Sequence, residues 1–296
     1  MMQALNNKKV TILLSLVILL TISNESFAVG TIPSCTSTTN GSTGDCYTTP
    51  DIQLVTFTKA ALCKSQPVIP TKGGSSNYDM SMCTTFFENV DGSEVAISKT
   101  ATYPLTGNFT SPPAGEYLYV YVEIKPFMKI KTAMNFSTSR TDNAGNSGVN
   151  CWTLTADSYS ISSTNASALQ STKCSDDSTH PGIGMVTHYI NDLGGNGTIA
   201  TYGQTQTFTT SKGDLLTAFS LTSSNTPAVP TEDHLGTVNK IVGYIPQRIV
   251  ITGTTKSITV NYNNSQGTKI QQYSNSPYDR VYGFGAGPFD FYLSAE

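Results

Sequence analysis

The chain has 296 residues, of which 12% are charged, and its formal net charge is −3. It contains no basic patch or lysine/arginine run, so we expect no binding to nucleic acid and none to anionic membrane surfaces. The charged fraction is about half of what is usual in soluble domains, and Ser, Thr, Asn and Gly replace the missing charges. Such a composition is typical of extracellular β proteins, whose strands accept Thr and whose loops need Gly and Asn.

Residues 1–28 have the pattern of a signal peptide. A pair of lysines precedes an apolar run over 10–22, and Ser26 and Ala28 occupy the small-residue positions of a cleavage site. An uncleaved anchor is the alternative, which the two small residues disfavour. No later apolar run approaches the length of a membrane span, so we expect a mature chain that begins near Val29, is exported, and has no transmembrane segment. Its net charge would be −4 after the loss of two lysines and one glutamate.

The mature chain keeps six cysteines, an even number that indicates disulfide bonds behind a signal peptide. Six cysteines allow about 15 pairings, among which the sequence cannot choose. We predict pairing between nearest neighbours, because each bridge then closes a loop rich in polar turn residues. Each bridge would contribute about 3 kcal/mol of stability. A zinc site is the alternative, but it requires Cys-x-x-Cys or Cys/His spacings that do not occur. The predicted pairs are Cys35–Cys46, Cys63–Cys83 and Cys151–Cys174.

The first part of the mature chain predicts an arm followed by strands. Residues 29–50 are Ser/Thr/Gly-rich and contain two cysteines, which predicts an irregular arm clipped by a disulfide. The run "DIQLVTFTKAALC" after it alternates and then becomes apolar throughout, as in a strand buried on both faces. Further on, Asp91-Gly92 lies between two alternating runs and predicts a type I′ hairpin.

The stretch "PPAGEYLYVYVEIKP" predicts a strand with two different faces. Tyr117, Tyr119 and Tyr121 occupy alternate positions and should share one face with Glu123. The opposite face should be an unbroken core face, and Pro126 should mark an edge, a bulge or a corner. Members of that core face are Leu118, Val120, Val122 and Ile124.

The tyrosine face has three interpretations. A loop from the middle of the chain, 137–183, could cover it, which is the interpretation we favour. It could be an aromatic platform for sugar rings with Glu123 as a hydrogen-bonding partner, or an interface with another protein, where Tyr is enriched. The large excess of tyrosines over the single Trp152 weakens the sugar platform.

The rest of the chain reads as short β-prone runs separated by Gly, Pro, Asn or Ser, and no window keeps a 3.6-residue repeat. The middle, 137–183, is rich in turns. This pattern predicts an all-β antiparallel sandwich with little helix, of the Ig/transthyretin-like kind. We expect one large domain over 51–296 with a loop-rich excursion at 137–183; the alternative is two β domains that divide near 140–150.

One similarity to known proteins rests on three of these stretches. "LVTFTKAALC", "PPAGEYLYVYVEI" and the later "VITGTTKSITVNY" resemble the transthyretin-like sandwich domains of bacterial surface proteins and lipoproteins of unknown function, the last as their closing hairpin. The resemblance covers 51–136 and 247–262 and implies a β-sandwich at the cell exterior. The chain departs from that pattern in its long intervening stretch and in having no lipid anchor.

Residues that could perform chemistry are sparse. Asp176, Asp177, His180 and His188 lie close in sequence and are the best candidates for a metal or acid–base site. A solvated polar loop beside a disulfide is the favoured interpretation of these four. The Asp/Asn/Gly-rich stretches at 142–148 and 194–199 lack the oxygen ligands that Ca²⁺ needs. The glycine-rich run from Gly283 predicts a turn, because it opens no helix, so we expect no cofactor.

Together these features predict an exported, non-enzymatic protein of a bacterial cell surface or periplasm, with a structural or adhesive role and possible self-assembly. Its partners would be copies of itself, other surface proteins or polysaccharide. A glycan-binding module that uses the tyrosine face is the first alternative. A hydrolase or metal site around Asp176 and His180 is the second.

Overall fold

Strands alone form the secondary structure of this chain wherever the computed structural model describes it; no helix occurs in those residues. The predicted signal peptide, 1–28, and most of the predicted arm, 29–50, lie outside the described residues. The residues Ile32–Glu296 group into one compact unit. The structure describes residues 34–35, 46–70, 77–97, 104–156, 171–190, 205–209, 213–228, 236–275, 278–287 and 289–296.

The sixteen strands of the described residues confirm the predicted all-β class. Their bounds are β1 Cys46–Thr48, β2 Ile52–Cys63, β3 Cys83–Ile97, β4 Asn108–Phe109, β5 Gly115–Lys131, β6 Ala133–Asp142, β7 Ser147–Thr153, β8 Thr172–Ser175, β9 Val186–Tyr189, β10 Thr205–Thr209, β11 Leu215–Leu221, β12 Lys240–Ile251, β13 Ile258–Asn263, β14 Thr268–Asn275, β15 Tyr278–Ala286 and β16 Asp290–Ala295.

These strands form three sheets. The large sheet has the order β10-β11-β12-β5-β2-β3-β4, and β9 pairs with β5 beside this path. A second sheet has the order β1-β14-β15-β6-β7-β8, and β13 pairs with β16 in a small third sheet. All pairings between these strands are antiparallel except that of β15 with β6. The described parts of the turn-rich middle region supply β6, β7 and β8 of the second sheet.

The large sheet is buried on both faces around β2 and β5. Ala60 and Leu62 belong to one apolar cluster, whereas Ala61 and Cys63 belong to another. Successive strand residues point to opposite faces, so the two clusters lie on opposite sides of the sheet. The prediction that β2 is buried on both faces is therefore confirmed.

The small sheet forms a second layer over one of these faces. Phe291 and Leu293 of β16 belong to the same cluster as Phe57 and Val120 of the large sheet. The side chain of Gln247 joins the layers, because its Nε2 donates to the Leu293 carbonyl at 2.7 Å and its Oε1 accepts from the Leu293 N–H at 3.0 Å. One side-chain amide thus replaces a backbone partner at the point where β12 has its irregularity.

The hairpin predicted at Asp91-Gly92 is wrong. β3 continues from Cys83 to Ile97 and pairs with β2 on both sides of this dipeptide. The four residues from Asn89 to Gly92 bulge out of the ladder instead. Asn89 Oδ1 accepts from the N–H groups of Asp91 and Gly92, and Gly92 has φ 93°. Asp-Gly supplies the same backbone geometry in a bulge as in a turn, and only the pairing with β2 decides between them.

The closing hairpin expected over 247–262 is also wrong. Its first strand, β12, pairs with β5 and β11, whereas its second strand, β13, pairs with β16. The connecting residues therefore pass from one sheet to another. The sequence shows two strands and a turn, but partner choice depends on strands that are distant in the chain.

Pro126 marks a bulge, one of the three features predicted for it. β5 keeps β2 as its neighbour on one side, with register shifts next to Pro126. On its other side it pairs with β12 before the proline and with β9 after it. Proline has no N–H to donate, so the exchange of partners falls where the ladder is already interrupted.

All three predicted disulfides are present: Cys35–Cys46, Cys63–Cys83 and Cys151–Cys174. The second joins the end of β2 to the start of β3, and the third joins the neighbouring strands β7 and β8 at directly opposite positions. Three such bonds indicate an exported protein, since disulfides persist in oxidising compartments.

Candidate functional site: the tyrosine cluster

The three tyrosines of β5 do not share one face, contrary to the prediction. Tyr117 belongs to the cluster that contains Val120, and its hydroxyl donates to the Pro113 carbonyl at 2.9 Å. Tyr119 and Tyr121 belong to the cluster on the opposite face. Leu118, expected in the core, is 45% exposed. The register of β12 shifts opposite this part of β5, between the partners of Tyr117 and Tyr119, so simple alternation fails there.

Tyr121 and Glu123 form the centre of a buried polar network. Glu123 is 5% exposed and Tyr121 is fully buried. Glu123 Oε1 accepts from the hydroxyls of Tyr121 at 2.6 Å and Tyr78 at 3.2 Å, and the two hydroxyls are 2.8 Å apart. Lys240 Nζ donates to Glu123 Oε2 at 3.3 Å. The carboxylate is thus neutralised by one cation and solvated by two phenols.

The electrostatics of this network keep both phenols protonated. Burial, followed by the negative charge of Glu123, raises the pKa of Tyr121 far above its usual value. Burial also raises the pKa of Tyr78, although its hydrogen bond to Tyr121 opposes the shift. Each phenol is therefore protonated at neutral pH and can donate a hydrogen bond.

Aromatic rings surround the network. Tyr244 stacks with Phe219 at 5.9 Å between ring centroids and meets Tyr119 edge-on at 6.1 Å. The Tyr244 hydroxyl accepts a hydrogen bond from Gln66 Nε2 at 2.6 Å. Lys240 Nζ lies 5.6 Å from the centre of the Tyr78 ring, in cation–π geometry. We call Tyr78, Tyr119, Tyr121, Glu123, Lys240 and Tyr244 the tyrosine cluster.

The described residues of the segment between the bonded Cys63 and Cys83, 64–70 and 77–82, pack against this cluster. The two arms of this segment pair through reciprocal backbone hydrogen bonds between Val68 and Asp79, at 2.9 and 3.0 Å. No described residue of the middle region 137–183, which was expected to cover the tyrosines, belongs to the apolar cluster on this face. Besides Tyr78, the residues of 64–82 that pack on the cluster are Ile69 and Met80.

The arrangement holds strands together around the buried Tyr121 and Glu123, whereas Tyr78 and Lys240 at its margin are partly exposed. Lys240 of β12, Glu123 of β5 and Tyr78 of the segment 64–82 are distant in sequence and meet only here. Sequence reasoning identified Tyr119, Tyr121 and Glu123 but missed Tyr78, Lys240 and Tyr244. No short-range pattern could have found Lys240 and Tyr244, because strand register decides which positions of β12 face β5. The same holds for Tyr78, which reaches the cluster only through tertiary contacts.

The four polar residues considered for a metal or acid–base site have separate roles. Asp176 Oδ1 accepts from the Val149 N–H at 3.1 Å, and Asp177 accepts from the N–H and hydroxyl of Thr179. These Thr179 bonds lower the pKa of Asp177. The His180 ring lies 5.3 Å from that of Trp152. Among the described residues, no three His, Cys, Asp or Glu side chains converge as metal ligands would.

His188 lies apart from that loop, on β9. Its Nδ1 accepts from the Ala286 N–H at 2.9 Å, which ties the large sheet to β15 of the second sheet. The first four residues of the glycine-rich run predicted as a turn, Gly283 to Ala286, lie in β15. A Cβ on Gly285 would lie 3.3 Å from His188 Nε2. Burial and then the charge of Lys269 lower the pKa of His188 to about 4.

No family model, curated protein or solved structure matches this chain. Within the described residues, no helix has the length and apolar character needed to cross a membrane. The transthyretin-like resemblance therefore stays a prediction from the sequence.

Proposed function

We propose that this protein is an exported structural protein of the bacterial cell surface or periplasm, which acts by adhesion or self-association and is not an enzyme. The three disulfides support the export. The observation that supports the structural role is the tyrosine cluster, whose central residues Tyr121 and Glu123 are buried. Its charged and phenolic groups bond to one another across β5, β12 and the segment 64–82, so they stabilise the fold.

The glycan-binding alternative is less well supported by this geometry. Tyr117 and Tyr121 have no exposed surface, so the expected platform of three rings is not open. The remaining ring, Tyr119, is partly buried and packs edge-on against Tyr244. Retention of wild type but not Tyr119→Ala on immobilised polysaccharide would favour the glycan-binding alternative over our proposal.

The experiment that tests the proposal is light scattering on a sizing column with the oxidised chain 29–296, followed by negative-stain imaging of the large fractions. We expect a mean mass above that of the monomer, which rises with protein concentration. Fractionation of the source cells should place the protein outside the cytoplasm. A monomer at every concentration, together with absence from the cell exterior, would overturn the proposal.

A further inference from the structure

The last seven residues of β5 present a row of lysines on one face of the large sheet. Burial alternates strictly along this part of the strand, so that even positions are buried and odd positions are partly exposed. Met128 belongs to the same apolar cluster as Val120, and the odd positions therefore project from the opposite side of the sheet, the side of the tyrosine cluster. We call these odd positions the lysine face; they are Lys125, Phe127, Lys129 and Lys131.

Neighbouring strands add aromatic and polar groups to the lysine face. Tyr189 of β9 lies directly opposite Phe127, and the two rings meet edge-on with centroids 6.4 Å apart. Thr187 of β9 and Leu54 of β2 lie opposite Lys129 on its two sides. Because directly opposite residues share a face of a sheet, two aromatic rings and a hydroxyl lie among the lysines. Tyr189 and Thr187 are partly exposed.

The lysine face has more positive than negative charge. Lys129 Nζ donates to Glu94 Oε2 at 2.8 Å, and the two side chains are 36% and 41% exposed. Neither Lys125 nor Lys131 forms an ion pair with an acidic residue of the described chain. Asp91, in the bulge of β3 beside the face, is exposed. Three lysines thus lie near two carboxylates, in a chain whose net charge is −3.

We infer that the lysine face binds an acidic polysaccharide, a linear sugar polymer that carries carboxylate or sulfate groups. Alternate residues of a strand lie about 7 Å apart, so the lysines form a row about 20 Å long that a linear polyanion can follow. Each ammonium is a compact charge for an acidic group, and the rings of Phe127 and Tyr189 supply apolar surface for the sugar rings between those groups. Charge favours this occupant over a neutral glycan, which would leave Lys125 and Lys131 unpaired.

The inference rests on the proposed adhesive role and names the chemical class of the partner. It differs from the glycan-binding alternative, in which the tyrosine cluster is the sugar site. Since the whole chain is negative, a polyanion is attracted only near the lysine face. Binding should therefore be weak and should fall steeply as salt screens the lysines.

The test measures binding of the oxidised chain 29–296 to immobilised alginate, which carries carboxylates, and to immobilised dextran sulfate. Neutral dextran is the control polymer. The variants are Lys131→Glu and Lys256→Glu, which change the net charge equally. Lys256 is exposed and follows β12, whose last residue pairs with the first residue of β5, so it lies at the far end of that strand from Lys131.

We expect wild type to bind at least one acidic polymer and not neutral dextran, and binding to be lost between about 0.05 M and about 0.5 M NaCl. Lys131→Glu should weaken binding at least about tenfold, because it places a like charge against the polymer. Lys256→Glu should bind as wild type does. Phe127→Leu keeps an apolar side chain but removes the ring, and it should also weaken binding.

Several results would overturn the lysine face as a binding site. These are no binding of wild type to either acidic polymer, equal binding of Lys131→Glu and wild type, and equal binding to neutral dextran. Binding to vesicles that contain phosphatidylglycerol, but to neither polymer, would replace the polysaccharide by a membrane surface and so reject the inference. Loss of binding in Tyr119→Ala but not in Lys131→Glu would favour the tyrosine cluster as the sugar site.

Failure of this inference is distinguishable from failure of the proposed function. Polymer binding and the mass of the protein in solution are separate measurements, so a chain that self-associates but binds neither polymer keeps its structural role without this partner. Far-UV circular dichroism and melting temperature are compared with wild type for each variant. Only variants that match wild type in both are used, which excludes a folding defect as the cause of weaker binding.

Discussion

The tyrosine cluster and the half-buried His188 contact are two polar sites that the fold handles in opposite ways. Glu123 is buried as an ion, because Lys240 and two phenols replace the water it loses. The Nδ1 of His188 accepts the Ala286 N–H. Desolvation and then the positive charge of Lys269 lower its pKa, so its neutral form is favoured. The comparison teaches that a buried charge persists where donors converge on it, whereas a base held beside another cation is kept uncharged and becomes sensitive to acid.

The largest effect should come from breaking the ion pair. Glu123→Gln removes the negative charge but keeps the shape of the side chain. The largely buried ammonium of Lys240 then lies beside a neutral amide. We expect the free energy of unfolding to fall by about 3 kcal/mol, measured by urea denaturation at pH 7. The double variant Glu123→Gln with Lys240→Met is the matched control and should recover part of the loss. Unchanged stability of Glu123→Gln would show that the pair contributes nothing.

Lowering the pH should reduce the stability of the protein through His188. The folded-state pKa of His188 is about 4 and its ordinary value is 6.5, so between these values the unfolded chain binds a proton that the folded chain does not. Stability should therefore fall as the pH drops through this window, by about 3 kcal/mol in all, and change no further through this residue above or below it.

The control for this prediction is His188→Asn, whose side-chain oxygen can accept the Ala286 N–H but does not titrate. The difference in unfolding free energy between wild type and His188→Asn, measured from pH 7 to pH 4, isolates the contribution of the imidazole from that of other groups. Parallel pH profiles for the two proteins would contradict the assignment.

The smallest of the three effects should follow from removal of one phenol. Tyr78→Phe deletes the longer of the two hydroxyl contacts to Glu123 Oε1 and leaves that of Tyr121 in place. We expect a loss of about 1–2 kcal/mol by urea denaturation, as for a hydrogen bond to a charged group. Tyr189→Phe is a suitable comparison, because that ring packs edge-on against Phe127 on β5 and lies outside the cluster. Equal effects of the two substitutions would argue that the cluster does not depend on Tyr78.

Much of the fold class could be predicted from local features. Alternating runs and turn residues predicted strands, and the loops between neighbouring cysteines predicted all three bridges. Pro126 predicted an interruption of the strand ladder, because proline has no N–H to donate in any sheet position. The hairpin predicted at Asp91-Gly92 was wrong because local features did not distinguish two structures. The dipeptide permits a positive φ, and a bulge uses that geometry as well as a hairpin does.

The candidate site could be predicted only in part. Tyr119, Tyr121 and Glu123 lie at alternate positions of one strand, so their common face followed from the period of two. Tyr117 lies on the opposite face, next to the position where β12 shifts its register against β5. No pattern in the sequence of β5 predicts this shift.

The sequence by itself determined the strand content, since this depends on residue type and short spacing. It also predicted the disulfide pairs that the structure confirms, although it did not exclude the other pairings. The tertiary structure alone decided which strands are neighbours, which segment packs on the tyrosines and which cation pairs with Glu123. Those contacts join positions as far apart as residues 78, 123 and 240. Their energies depend on register and burial, which arise only when the sheets assemble.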